Sequence, residues 1–310
     1  MPEPEPNPPP LAPAALVVGC GYLGQRVARQ LLERGRTVFV TTRSPGKAAK
    51  LGRLGLRPLL LDVTQPLTLA SLAPAVEAEA LDVVCAVPPG RTGGDPSPRQ
   101  VVIEGGRAVL RKLAQANVRR AVLISSSAVY GQRRDERVSA DTAPEPGGER
   151  AKLLLEGERQ WLDAGAAYHV LRLAGLYGPG RIVGAAAVRQ GAPVLGDPQA
   201  LLNLIHVDDA ADLVLAMLTS EAPGRIELGS SGNSSPRISY YQELARRLGV
   251  PEPVCLDADA AAEQFGLNAE RLRRSSSKSL DPGPTIARTG WEPRHPDFRA
   301  ALDELLPAAE

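Results

Sequence analysis

The sequence predicts an α/β protein built on a doubly wound parallel sheet, with a smaller C-terminal lobe. Three observations predict it. Five short apolar runs, at 15–18, 37–41, 58–62, 82–87 and 121–125, alternate with amphipathic or polar stretches of helical period. Such βα alternation builds a parallel sheet with helices on both faces. The first run leads straight into Gly19, Cys20, Gly21, Tyr22, Leu23 and Gly24, a glycine turn between strand and helix. At 310 residues and 43% hydrophobic content, the chain is also long enough to bury a sizeable core.

The glycine turn is the most informative stretch. Gly19 permits a tight turn, Gly21 lets backbone approach a pyrophosphate, and Gly24 lets helix and strand pack closely. Tyr22 and Leu23 open the helix, whose free N–H groups suit phosphate oxygens. The spacing to the next strand completes a βαβ unit of Rossmann type, so dinucleotide binding is expected; a glycine turn made for packing alone is the alternative.

Composition removes several functions. The net charge is +1, with no basic run interleaved with aromatics, which argues against nucleic acid. Cys20, Cys85 and Cys255 lie far apart and do not cluster with His169, His206 or His295 at metal-ligand spacing, so neither a disulfide framework nor a metal site is expected. No apolar run reaches membrane-spanning length, and neither a membrane partner nor an export signal is read from the chain; a cytoplasmic location is expected. Lysine occurs only at 47, 50, 112, 152 and 278, so a lysine in a site-like position carries weight.

Residues 1–13 are proline-rich and are expected to be a disordered tail. Residues 14–180 then form the dinucleotide-binding domain and 181–310 the small lobe, with some exchange of chain between them. After the second strand, where an acid would bond the adenosine ribose of NAD, the chain has Thr42, Arg43 and Ser44. These suit a phosphate through hydroxyl and guanidinium donors and favour NADP over NAD; a solvated loop is the alternative. The run 58–62 reads as a buried strand ending in Asp62, which suits the adenine amino group or a turn cap equally. Val87, Pro88 and the loop beyond them run over the cofactor, and Cys85 reads as a core thiol. A long helix spans 99–117.

Ser125, Ser126, Ser127, Ala128, Val129, Tyr130 and Gly131 follow the fifth strand. This segment resembles the serine-bearing stretch of the extended short-chain dehydrogenases/reductases, the group that includes NAD-dependent epimerases and dehydratases. Residues 171–181 (LRLAGLYGPGR) resemble that family's sixth strand and loop, and residues 205–211 (IHVDDAA) resemble its IHVDD segment. The resemblance covers roughly residues 15–220. It implies a small polar or sugar-like substrate held over the nicotinamide. It also implies Ser126 polarising a carbonyl, Ser125 beside the cofactor, Tyr177 and Arg181 facing substrate, and a homodimer paired through helices 99–117 and 150–164.

Two features depart from the family pattern. The opening loop is shorter than its TGxxGxxG, which marks an atypical branch. Lys152, with Leu153 and Glu156, resembles the helix of the catalytic YxxxK motif, and that register puts Gly148 where the tyrosine belongs. Lys152 is then expected on the nicotinamide ribose, and Tyr130 or Tyr177 as the substitute proton donor. A non-catalytic NADP-binding sensor or scaffold is the competing reading. Downstream, a loop at 132–149, a strand at 168–173, a helix from Asp208 to Leu218, a helix at 240–248, an exposed loop at 275–284 and a C-terminal helix packed back with Trp291 complete the expectation. His206 reads as a buried imidazole bonded to a neighbouring carboxylate.

Overall fold

The computed structural model describes residues 11–90, 96–219, 221, 225–273 and 276–306. Seven strands form one parallel sheet: β1 (Ala14–Val18), β2 (Thr37–Thr42), β3 (Arg57–Leu60), β4 (Leu81–Cys85), β5 (Val118–Ser126), β6 (Tyr168–Leu173) and β7 (Ile226–Gly229). Their order is β7-β6-β5-β4-β1-β2-β3, every pairing parallel. This is a Rossmann-like α/β fold. Chain order reverses between β1 and β4, and the carboxyl ends of that pair are where doubly wound sheets bind ligands. β1, β4 and β6 are buried throughout, as strands covered on both faces must be; β1 reads as a continuous apolar run, whereas β4 and β6 also bury Asp82, His169 and Arg172.

Helices cover the sheet. On one face α1 (Tyr22–Glu33) packs beside α5 (Val207–Leu218), with Val27, Leu31, Val214 and Met217 in a common core. On the other lie α3 (Gly106–Leu113) and α4 (Glu149–Leu162), contributing Val109, Leu113 and Trp161. A separate cluster holds the lobe: Tyr177, Val188 and Leu204 pack with Tyr240 and Leu244 of α6 (Arg237–Leu248) and Phe298 and Leu302 of α7 (Phe298–Leu305).

Four expectations change. The fold begins before residue 14: Leu11 and Ala12 are buried, and the Ala12 N–H donates to Asp82 Oδ2 at 2.8 Å. The expected disorder of residues 1–10 lies outside the described residues. β3 is an edge strand with Arg57 and Leu60 exposed, not a fully buried one, because nothing pairs with its outer side. The long helix at 99–117 is broken: Gln100–Gly105 is a π-helical turn, followed by α3. It sits where a Cβ on Gly105 would come 2.8 Å from Val63 Cγ2, so the turn that follows β3 presses closely on the backbone there. Within the expected loop at 275–284, Lys278–Leu280 forms a short strand paired with Glu136–Val138, and Leu280 is buried.

Candidate dinucleotide cleft

The glycine turn sits at the reversal point of the sheet. Gly19 has φ +90°, and a Cβ there would lie 2.8 Å from the Ala86 carbonyl oxygen, so β1 and β4 can meet only at a glycine. A Cβ on Gly24 would fall 2.4 Å from the Gly19 carbonyl oxygen, which closes helix onto strand. Around the Cβ position of Gly21 there is nothing within 4 Å, and its open side is the cleft. No side chain caps the N-terminus of α1 and its first turn holds no acid, so its N–H groups are free for an anion. The Gly19 N–H donates to Thr41 Oγ1 at 2.8 Å, tying the turn to β2.

From this turn a cleft of about 460 Å³ runs over the strand ends. It gathers Gly19, Gly21, Thr42, Arg43, Asp62, Val87 and Pro88 from the residues singled out in the sequence, with Gly90 and Pro96 of the loop expected to run over the cofactor, and also Lys47, Val63 and Val101, which were not singled out. Lys47 is in the first turn of α2 (Pro45–Arg53), where Ser44 is the N-cap and accepts from the Lys47 N–H at 3.3 Å. The Ser44 hydroxyl is therefore a helix cap and is not among the cleft's lining residues. Arg43 Nη1 stands 3.9 Å from Asp62 Oδ2 across the cleft. Burial works to raise the Asp62 carboxyl, but the Thr64 hydroxyl and N–H, at 2.7 and 3.0 Å, and then the Arg43 charge leave it below its ordinary value.

The other singled-out residues are not among those that line the cleft. Leu23 and Gly24 are buried at the base of α1. The Tyr22 ring lies between Arg26 and Arg181, whose guanidinium carbons are 4.3 and 5.6 Å from its centroid, and its hydroxyl donates to the Pro179 carbonyl at 3.2 Å. Arg26 is held by Asp208 at 2.8 Å, whereas the exposed Arg181 makes no ion pair among the described residues.

Ser126 Oγ accepts from the Ala128 N–H at 3.2 Å, leaving its own proton free. Ser125 Oγ donates to Glu158 Oε1 at 2.5 Å. Glu158 is bonded in turn by Arg172, whose Nη2 lies 2.6 Å from Oε2, both side chains being 3% exposed. Arg172 Nη1 donates to Tyr130 Oη at 2.8 Å, and Tyr130 Oη donates to the Ser139 carbonyl at 2.9 Å. Tyr130 is therefore a fully buried member of this network, and burial raises its phenol above the ordinary value despite the Arg172 charge. Tyr177 is also fully buried, edge-on to His206, with its hydroxyl unpartnered among the described residues and raised by burial and then by the Asp209 charge. Neither phenol presents a proton to solvent, which differs from the sequence expectation: Tyr130 lies in the main core and Tyr177 in the cluster that holds the lobe.

Lys152 Nζ lies 2.8 Å from Glu149 Oε1, and its side chain is 60% exposed on the outer side of α4. Gly148, the N-cap of that helix, has fully extended backbone and nothing within 4 Å of a Cβ. His206 is buried and stacks on His295 at 3.9 Å. Burial and then the neighbouring His295 lower its pKa. Asp209 completes a group whose potential ligand atoms lie within 4.8 Å of one another, one the sequence spacing did not anticipate. Its oxygens already accept from His295 N–H and pair with His295 Nδ1, both at 2.9 Å.

Comparison with known proteins places these features in context. Residues 15–229 match the model of the NAD dependent epimerase/dehydratase family. Protein YeeZ of Escherichia coli (strain K12) is 28% identical over 288 residues, covering 91% of this chain and 96% of its own. The fold is shared with UDP-glucose 4-epimerase of Thermotoga maritima, solved with UDP-glucose, at TM-score 0.76 and 19% identity over 94% of this chain and 97% of the other. It is shared equally with WbmG of Bordetella bronchiseptica, solved with NAD, at TM-score 0.75 and 19% identity over 94% and 92%. No helix among the described residues is long and apolar enough to cross a membrane.

Proposed function

The chain belongs to the NAD dependent epimerase/dehydratase family, and from that premise we propose that it is an NADP-preferring oxidoreductase or epimerase acting on a small polar or sugar-like substrate. One observation carries the reading: the uncapped N-terminus of α1 and the cations Arg43 and Lys47 line a single cleft. A diphosphate suits the N–H groups beside Gly21. Thr42, Arg43 and Lys47 suit a 2′-phosphate, and Asp62 suits the adenine amino group. When bound there, the cofactor supplies a hydride donor or acceptor.

Ser126 then polarises a substrate carbonyl by donating a hydrogen bond to it, while Arg181 meets an anionic or polyhydroxyl part of the substrate beside Tyr22. Ser125 acts from beneath, through Glu158. With Tyr130 and Tyr177 buried, no phenol gives or takes the proton, and a missing general acid typically slows reaction by about 10² to 10⁴. NADPH oxidation against a carbonyl panel tests this. The expected outcome is slow turnover, reduced by about 10²-fold in Ser126→Ala and unchanged in Tyr130→Phe and Tyr177→Phe. Fast turnover lost in either phenylalanine variant, or indifferent to Ser126→Ala, overturns the assignment.

The buried phenols also favour a second reading, a non-catalytic NADP-binding sensor or scaffold. Its signature is cofactor binding with no turnover against any carbonyl. Pairing of two copies through α3 and α4 remains part of the proposal: the half-buried apolar side chains Leu110, Leu153 and Leu155 lie on those helices. The expected result by light scattering is a dimer at micromolar concentration, and a monomer there contradicts pairing.

A further inference from the structure

The phase of α4 is locked from below. Glu158 is held by Arg172 and Ser125, and Gly157 lies so close to Val102 that a Cβ would sit 2.6 Å from its Cγ1. The inward stripe therefore runs through Trp161, Glu158, Gly157, Leu154 and Ala151, with the exposed Arg150 at its edge, four residues before Leu154. Lys152 falls half a turn away, on the outer face, where Glu149 holds it. Arg150 Nη1 reaches across 60 residues of sequence to donate to the Gly90 carbonyl at 3.0 Å. Gly90 lines the cleft. Among the described residues this guanidinium has no carboxylate partner, so its charge and its remaining donors stay available at the rim.

The ends of the cleft are distinguishable. Arg43, Lys47 and Asp62 mark the adenosine end, and the N-terminus of α1 marks the diphosphate. Gly90, which Arg150 holds, lines the same cleft, and α4 packs against the turn Ser127–Val129 that follows Ser126. We propose that Arg150, and not Lys152, is the cation that holds the nicotinamide half of the bound dinucleotide, donating from its fork to the ribose hydroxyls of that half. The proposal rests on the reading of the cleft as a dinucleotide site.

Two ligands separate the possibilities: NADPH, and adenosine 2′,5′-bisphosphate, which carries the adenosine end alone. Parent, Arg150→Ala and Lys152→Ala proteins are titrated with each by calorimetry, with thermal midpoints confirming that these exposed-site variants fold. Arg150→Ala is expected to weaken NADPH about tenfold and leave the bisphosphate within about twofold, while Lys152→Ala changes neither. The proposal is overturned if Lys152→Ala weakens NADPH and Arg150→Ala does not. It is equally overturned if Arg150→Ala weakens both ligands alike, which would make Arg150 a tether for the rim loop. A parent protein that binds neither ligand removes the dinucleotide reading itself, and this inference with it.

Discussion

Replacing Arg43 and Lys47 together by alanine is expected to weaken NADPH binding by about 10²-fold while leaving NADH within about twofold. Both cations line the cleft at the end of β2 and the start of α2, where the 2′-phosphate is the one group that distinguishes the two cofactors. A charge-assisted contact contributes about 1.5–3 kcal/mol, and the lower figure applies because the Arg43 side chain is 70% exposed. About 1.5 kcal/mol for each of two contacts gives the stated factor. Because the site is open, the NADPH preference of the parent falls as salt rises, and NADH binding changes less. Equal losses for both cofactors in the double variant would place the 2′-phosphate elsewhere.

Removing one charge of the Glu158–Arg172 pair is expected to destabilise the fold by about 3–5 kcal/mol, measured by urea unfolding of Glu158→Gln and Arg172→Met. Each single change strands a charged or polar partner at a site 3% exposed, and Glu158→Gln also weakens the acceptor of the Ser125 hydroxyl. Replacing both together removes the stranded charge. The double variant should therefore lose clearly less than the sum of the singles, as interacting groups do. A Glu158→Gln protein within about 1 kcal/mol of the parent would show that the pair does not lock α4 to the sheet.

Local pattern made much of this fold legible. β1, the glycine turn and α1 are adjacent in sequence, and the alternation of apolar runs with helical stretches carries the sheet. What escaped was set by distant partners. Lys278–Leu280 pairs with Glu136–Val138, more than a hundred residues away, and neither segment has the length or apolar run that marks a strand. The edge position of β3 depends on what lies beside it, which PLLLD alone does not encode. In the cleft, the glycines and Arg43 were readable, whereas Lys47 required knowing that α2 starts at the cleft wall.

The phase of α4 is the clearest case. Leu153, Leu154 and Leu155 are consecutive, so the apolar run allows more than one inward face, and the resemblance around Lys152 and Glu156 selects the wrong one for a contact with the cleft. Glu158 decides it, because Arg172 and Ser125 reach it from β6 and β5. Tyr130 and Tyr177 escaped for a related reason. A tyrosine at a strand end looks catalytic in sequence, and its burial among residues distant in the chain is visible only in three dimensions.

On the function proposed for it, the cleft at the β1–β4 reversal binds a dinucleotide and prefers the one with a 2′-phosphate. Calorimetric titration of the unaltered protein with NADPH and with NADH is the direct test. One site per chain is expected, with NADPH bound about tenfold or more tightly than NADH. Equal affinities would contradict the assignment of Arg43 and Lys47, and absence of binding by either would contradict the cleft.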